Sequence, residues 1–230
     1  MFIKICGITS ADDALLATAL GADAVGFVMA PSSRQIAPPR VQEIVRLLPP
    51  GVLTVGVFRN EAPQRVVEIV NRCGLKAAQL HGRESIGDTQ LIREKVPAVI
   101  KAFPGGSGAL AMADRYGADM VLVDSDNPGS GQVFDWSLAE GAPGGIRLIM
   151  AGGLTPENVA MAIAKVRPWG VDVSTGVELS PGRKDPARLR AFINAARETE
   201  PPRPDPADQE LGVQEPDDDA PYDWQEERFQ

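Results

Sequence analysis

The feature that most constrains this chain is an alternation repeated eight times. Short runs rich in β-branched and apolar residues recur at Phe2–Cys6, Ala24–Val28, Leu53–Phe58, Ala77–Leu80, Ala98–Phe103, Met120–Asp124, Arg147–Ala151 and Val171–Ser174. The stretches between them carry helical periodicity and helix punctuation. Pro63 opens one, Val66, Val70 and Cys73 share its apolar face, and Gly74 closes it. Thr155 with Pro156 is expected to be the N-cap and first helical residue of another. Asp185-Pro186 starts the last, whose Leu189, Phe192, Ile193 and Ala196 follow the i, i+3, i+4, i+7 pattern. Strands that alternate with helices imply a parallel sheet, because each crossover must return the chain to its starting edge. Eight units within residues 1–199, about 25 residues each, predict an α/β fold of the closed (β/α)8 TIM-barrel type. An open doubly wound sheet is the competitor, and the first strand–turn lacks the Gly-x-Gly-x-x-Gly that such sheets use for dinucleotides.

Charge divides the chain differently from its fold signals. The net charge is −8, yet residues 200–230 alone hold 11 acidic and 2 basic side chains, which leaves residues 1–199 near +1. The same 31 residues include six prolines and the run Asp217-Asp218-Asp219. A segment this polar buries too little apolar surface to offset the entropy of ordering it, so residues 200–230 are expected to form a disordered acidic tail. Tyr222, Trp224 and Phe229 are the groups through which it would touch a partner. The near-neutral body carries neither a nucleic-acid footprint nor a polybasic membrane surface. No run reaches the roughly 20 apolar residues of a membrane span. The N-terminus lacks a secretion signal, and two cysteines make no disulfide framework, so a cytoplasmic location is expected. One histidine and two cysteines cannot build a multi-His zinc site.

In a barrel the chemistry sits where the strands end. Strand one ends in Cys6-Gly7, and strand two runs into Pro31-Ser32-Ser33-Arg34. Strand four ends in Gln79-Leu80-His81-Gly82, and strand six in Asp124. Strand seven enters Gly152-Gly153, and strand eight Ser174-Thr175-Gly176. A thiol, a guanidinium, an imidazole, a carboxyl group and two glycine-rich turns therefore face one mouth. Backbone amides in the two turns suit a phosphate, although tight turning alone would also explain glycine there. A thiolate can remove a carbon-bound proton while a carboxylic acid protonates a leaving oxygen, which makes Cys6 and Asp124 the acid–base candidates. Cys6 as a small buried hydrophobe and Asp124 as a helix cap or ion-pair partner are the bland alternatives. Arg34 offers a planar fork for a carboxylate, or else a surface salt bridge. His81 is either a neutral hydrogen-bonding group beside a ligand or a satisfied polar residue. Lys4 shares the strand parity of Cys6, so it can supply a cation that favours the thiolate.

The residues at these positions resemble those of the phosphoribosylanthranilate isomerases. The matching segments are Lys4-Ile5-Cys6-Gly7-Ile8-Thr9, Gly21–Phe27, Val55–Phe58, Gln79–Gly82, Gly129-Ser130-Gly131 with Phe134-Asp135-Trp136, Ala151–Leu154 with Pro156–Val159, and Val171–Glu178. They run in order from residue 1 to about 198; the tail is not part of the pattern. The resemblance implies a (β/α)8 barrel that carries out an Amadori rearrangement on a small-molecule phosphosugar, without metal or organic cofactor, as a monomer or homodimer. It implies Asp124 as general acid, Cys6 as general base and Arg34 as the holder of the anthranilate carboxylate. Gly152, Gly153, Ser174, Thr175 and Gly176 form the phosphate cradle, and His81 and Asp172 complete the substrate-binding set. The loop before Arg34 is a little shorter than in some relatives, and Thr175 stands where serine is frequent. The histidine-pathway aminoaldose isomerase performs the same reaction type but resembles a barrel with aspartate where this chain has Cys6. A third possibility is a barrel that only binds, acting through its tail.

Overall fold

The computed structural model describes residues 1–124 and 143–199. Strand β1 (Phe2–Cys6) is followed by α1 (Ala11–Ala19), β2 (Ala24–Val28), α2 (Pro38–Val45), β3 (Leu53–Phe58) and α3 (Pro63–Cys73). Then come β4 (Ala77–Leu80), α4 (Ile86–Arg93), β5 (Val99–Pro104), β6 (Met120–Asp124) and β7 (Leu148–Met150). The chain continues through α5 (Val159–Val166), β8 (Gly170–Val173), the hairpin strands β9 (Glu178–Ser180) and β10 (Arg183–Lys184), and α6 (Pro186–Glu198). β1 to β8 pair in sequence order, all parallel, and β8 closes onto β1. The predicted eight-stranded barrel is therefore what forms. Among the described residues no helix is long and apolar enough to cross a membrane. The Gly129–Gly131 loop, the Phe134–Trp136 segment and the 200–230 tail lie outside the described residues.

Local signals explain most element ends. Asp185 caps α6 by accepting from the amides of Ala187 and Arg188. Gly74 ends α3 at φ 70°, a left-handed conformation that favours glycine. Two expectations need correction. The Thr155-Pro156 pair opens a turn, and the helix itself starts at Val159. Asn158 causes the delay: its side chain accepts from the Thr155 amide at 2.8 Å and donates to the Gly153 carbonyl at 2.9 Å. The link between β5 and β6 is a 3-10 turn over Leu110–Tyr116 in place of an α-helix, since Met112 leaves helical geometry and Gly117 stops the chain at φ 66°.

Strand parity sorts side chains into two cores. Ala24, Val55, Ala77, Ile100, Met120, Leu122 and Ile149 fill the barrel. Ile3, Ile5, Val25, Phe27, Val121, Val123, Val171 and Val173 face the helices, where Val66, Ile69, Val70, Phe192 and Ile193 cover them. On the inward parity lie Lys4 and Cys6 of β1, Gln79 and His81 at the end of β4, Asp124 of β6, and Asp172 and Ser174 at the end of β8. Polar groups thus occupy the upper layers of the barrel, above the apolar layers of its lower end.

The loop that carries His81 is tied from outside the barrel. Lys101, 2% exposed, donates to the carbonyls of Leu80 (3.2 Å) and Gly82 (2.9 Å) and to Glu84 (2.8 Å). Glu84 also accepts from the amides of Asn60 and Gly82. Burial alone would raise the Glu84 pKa, but Lys101 and the backbone amides of Asn60 and of Glu84 itself hold it below the ordinary carboxylate value. Its stabilising contribution is therefore present above the unfolded-state value of about 4.3 and is lost as pH falls through the lower folded-state value. Glu84→Gln leaves Lys101 buried without its counter-charge and is expected to destabilise the fold by about 3–5 kcal/mol at neutral pH, with a flatter acid limb. Glu84→Gln with Lys101→Met should recover most of that loss, as read by denaturant unfolding. Equal stability of wild type and Glu84→Gln would contradict this reading.

Candidate active site

The floor of the mouth is a buried ion pair. Register places Lys4 of β1 opposite Asp172 of β8, and Lys4 Nζ lies 2.9 Å from Asp172 Oδ1 with the lysine fully buried. Gly26 of β2 stands beside Cys6. A methyl group there would come within 3.0 Å of Cys6 Sγ and 3.2 Å of Lys4 Nζ, so thiol and ammonium converge on the space this glycine leaves. Burial alone would lower the Lys4 pKa, but Asp172 and then Cys6 raise it above the ordinary lysine value. Burial pushes the Cys6 thiol up, Lys4 pulls it down, the Asp172 charge adds to the rise, Lys184 adds to the fall, and the net direction is upward. The expected cation beside Cys6 is therefore in place, and the resting group is a thiol whose ionisation these lysines favour.

A second set of charges borders Cys6 on the β8 side. Lys184, fully buried, donates to the carbonyl of Cys6 at 2.6 Å, to that of Ser174 at 3.2 Å and to Glu178 at 3.0 Å. Glu178 in turn takes Arg34 through Nε (2.9 Å) and Nη2 (2.7 Å). Arg34 does form a salt bridge, but one at the mouth: its side chain is 13% exposed and that of Glu178 only 4%. Burial would raise the Glu178 pKa, yet Arg34 and Lys184 hold it below the ordinary value. Lys184 stays below the ordinary lysine value because burial outweighs Glu178, with the Arg34 charge adding to the depression. The Arg34 stem lies on Gly7, where φ is 76° and a Cβ would sit 2.6 Å from Arg34 Cδ.

Opposite these groups, β6 ends in Asp124, 8% exposed. β1 and β6 are separated by β7 and β8 on one side of the barrel and by β2 to β5 on the other, so their ends face across the mouth. His81 Nε2 lies 3.4 Å from Asp124 Oδ2, and Gln79 Nε2 lies 3.0 Å from His81 Nδ1. With the Gln79 amide nitrogen donating, Nδ1 is the acceptor of that bond, and Nε2 is the ring nitrogen that faces Asp124. His81 thus stands in hydrogen-bonding reach of both Gln79 and Asp124. Among the described residues no group of three or more His, Cys, Asp and Glu side chains could hold a metal ion.

The two glycine-rich turns abut. Gly152 and Gly153 have φ of 89° and 65°, which brings the chain round sharply between β7 and α5. A Cβ on Gly176 would overlap the Leu154 carbonyl, so glycine is what lets the β8 turn pack on the β7 turn. Arg188 braces the pair by donating to the Gly176 carbonyl at 2.9 Å, with Glu157 of the neighbouring turn 3.3 Å away. The 3-10 turn Thr175–Val177 starts here, and the first amides of a helical turn have no partner within it. Such a surface suits an anion.

All ten residues singled out in the sequence therefore border the barrel's upper end. Sequence reasoning missed Lys184 and the role of Glu178. A lysine just before an Asp-Pro helix start has the pattern of a surface residue, and only the β9–β10 hairpin turns it inward. The model of the family described as N-(5'-phosphoribosyl)anthranilate isomerase matches residues 3–195. The chain belongs to the N-(5'-phosphoribosyl)anthranilate isomerase family. It is 52% identical over 203 residues to the N-(5'-phosphoribosyl)anthranilate isomerase of Desulforudis audaxviator, covering 85% of this chain and 98% of that one. The crystal structure of the Thermus thermophilus phosphoribosyl anthranilate isomerase matches at 41% identity and a TM-score of 0.82, over 87% of this chain and all of the other. A phosphoribosyl anthranilate isomerase solved with reduced 1-(o-carboxyphenylamino)-1-deoxyribulose 5-phosphate matches at 41% identity and a TM-score of 0.75, over 86% and 99%. The enzyme is thus an isomerase with the TIM-barrel fold of its family.

Lys4→Met removes the cation beside Cys6 and is expected to raise the Cys6 pKa, read as thiolate absorbance against pH or as the pH dependence of alkylation. An unchanged Cys6 pKa would show that Lys4 does not act on the thiol.

Proposed function

We propose that this enzyme converts N-(5'-phosphoribosyl)anthranilate into 1-(2-carboxyphenylamino)-1-deoxyribulose 5-phosphate, a step of tryptophan biosynthesis, with Asp124 as general acid and Cys6 as general base. The observation that carries the assignment is the pairing across the mouth of a thiol flanked by two buried lysines and a carboxyl group held by His81. A protonated Asp124 gives its proton to the furanose ring oxygen. The C1–O bond then breaks as the nitrogen lone pair forms a C1=N Schiff base. The Cys6 thiolate takes the proton from C2, the C2–H electrons form C1=C2, and the C=N electrons return to nitrogen to give an enolamine. Loss of the enol proton and protonation at C1 complete the ketone, with no net proton gained or lost. None of these steps requires a redox partner or a Lewis acid, so the proposed cofactor requirement is nil.

Binding follows the same geometry. Arg34 takes the anthranilate carboxylate, and the Gly152-Gly153 and Ser174-Thr175-Gly176 turns take the phosphate. Asp172 reaches the sugar from the floor while its other contact keeps Lys4 charged. The relative solved with the reduced product analogue supports a ligand that joins a phosphate to a carboxyphenylamine. All the named groups come from one chain, so the site works in a monomer or in a homodimer; the Thermotoga maritima isomerase is dimeric. Free thiols at Cys6 and Cys73 fit a cytoplasmic setting.

Fluorescence-monitored consumption of freshly generated phosphoribosylanthranilate tests the proposal. Wild type is expected to turn over, and Cys6→Ala and Asp124→Asn are each expected to lose about 10²–10⁴-fold or more in kcat. An inactive wild type would reject the substrate, and full activity in either variant would reject that residue's role.

A further inference from the structure

The proton-transfer scheme leaves Glu178 without a part, although its carboxylate is the most heavily engaged group at the mouth. It accepts from Arg34 Nε at 2.9 and 3.1 Å, from Arg34 Nη2 at 2.7 Å, from Lys184 Nζ at 3.0 Å and from the Gly182 amide at 3.4 Å. Its side chain is 4% exposed, while that of Arg34 is 13% exposed. The anion is therefore sealed behind the guanidinium, and the guanidinium faces the mouth. A guanidinium has five N–H donors on a rigid plane. Glu178 occupies the Nε–Nη2 edge, and the Nη1–Nη2 edge remains for a second carboxylate in the same plane. Gly7 fixes the stem from the other side, because its missing side chain gives Arg34 Cδ its place.

We propose that Glu178 is the positioning residue that aims the Arg34 fork at the substrate's ring carboxylate, and that it thereby sets the preference for an ortho-carboxylated arylamine. The inference rests on the reading that Arg34 takes that carboxylate. An arginine on a flexible loop loses several rotatable bonds when it docks a ligand. One already clamped by a buried carboxylate has lost them beforehand. Lys184 anchors the clamp in turn, since its bonds to the Cys6 and Ser174 carbonyls tie Glu178 to the ends of β1 and β8. The recognition of the aryl carboxylate is in this way built onto the strand that carries the base.

Two non-reacting ligands separate this role from simple support of the hairpin: the reduced product, which bears the carboxylate, and its phenylamino counterpart, which lacks it. Binding of both to the full chain is measured by calorimetry for wild type, Glu178→Gln, Arg34→Met and the double variant, with thermal unfolding recorded for each. Glu178→Gln is expected to weaken the carboxylated ligand by about 10–100-fold and the carboxyl-free ligand by less than about 3-fold. Arg34→Met is expected to show the same selectivity, and the double variant to bind no worse than Arg34→Met alone. Glu178→Asp keeps an anion beside Lys184 but withdraws it from Arg34 by one methylene; it should show the same selective loss and stands in if Glu178→Gln does not fold. Equal weakening of both ligands in the Glu178 variants, with Arg34→Met still selective, would overturn the proposal and reduce Glu178 to hairpin support. An unselective Arg34→Met would overturn the reading of Arg34 and this inference with it.

Discussion

The enzyme is organised around a lysine that no water reaches. Lys4 lies inside the barrel with its ammonium 2.9 Å from Asp172, and an isolated charge in that position would be strongly disfavoured. The pair exists because β8 closes the sheet against β1 in a register that sets the two residues side by side. Barrel closure and site electrostatics are thus one constraint: a shift of register by one residue would turn Lys4 toward the helices and Cys6 with it. Gly26 completes the arrangement, because any larger residue on β2 would fill the space where the thiol and ammonium meet.

Opposing effects act on the Cys6 thiol. Desolvation, with the Asp172 charge behind it, favours the neutral form and wins in the resting protein, while Lys4 and Lys184 favour the thiolate. A thiol in this setting keeps its intrinsic proton affinity, which suits the proposed removal of a proton from carbon better than a strongly acidified thiol would. The other buried pairs serve position. Lys101 and Glu84 hold the backbone on either side of His81, and Lys184 and Glu178 hold the ends of β1 and β8. Pairs of this type add little net stability but are costly to break singly, which makes them suitable for fixing geometry.

Most of this was legible in the sequence, for identifiable reasons. Barrel parity needs only a period of two, so Lys4 falls on the side of Cys6 once β1 is recognised, and Asp124 stands at the end of its strand; Asp172 enters through the family resemblance alone. Strong punctuation located Gly74 and Asp185. What escaped was set by contacts distant in sequence. The start of α5 depends on an Asn158 side chain turned back on Thr155 and Gly153, a competition that propensity at Thr155-Pro156 does not reveal. Lys184 and Glu178 belong to a hairpin whose two strands total five residues, too short for any periodicity. Arg34 was recognised as a fork, but its clamp lies 144 residues away.

The division of labour between Cys6 and Asp124 is the central claim, and an isotope effect measured in weakened enzymes tests it most directly. Substrate deuterated at C2 of the sugar is compared with unlabelled substrate in Cys6→Ser and in Asp124→Asn. If Cys6 removes the C2 proton, weakening it makes that step limiting and a large primary isotope effect appears in Cys6→Ser. If Asp124 opens the ring, Asp124→Asn is limited before C2 is touched and its isotope effect stays near unity. A large effect in Asp124→Asn with none in Cys6→Ser would reverse the assignment and contradict the account.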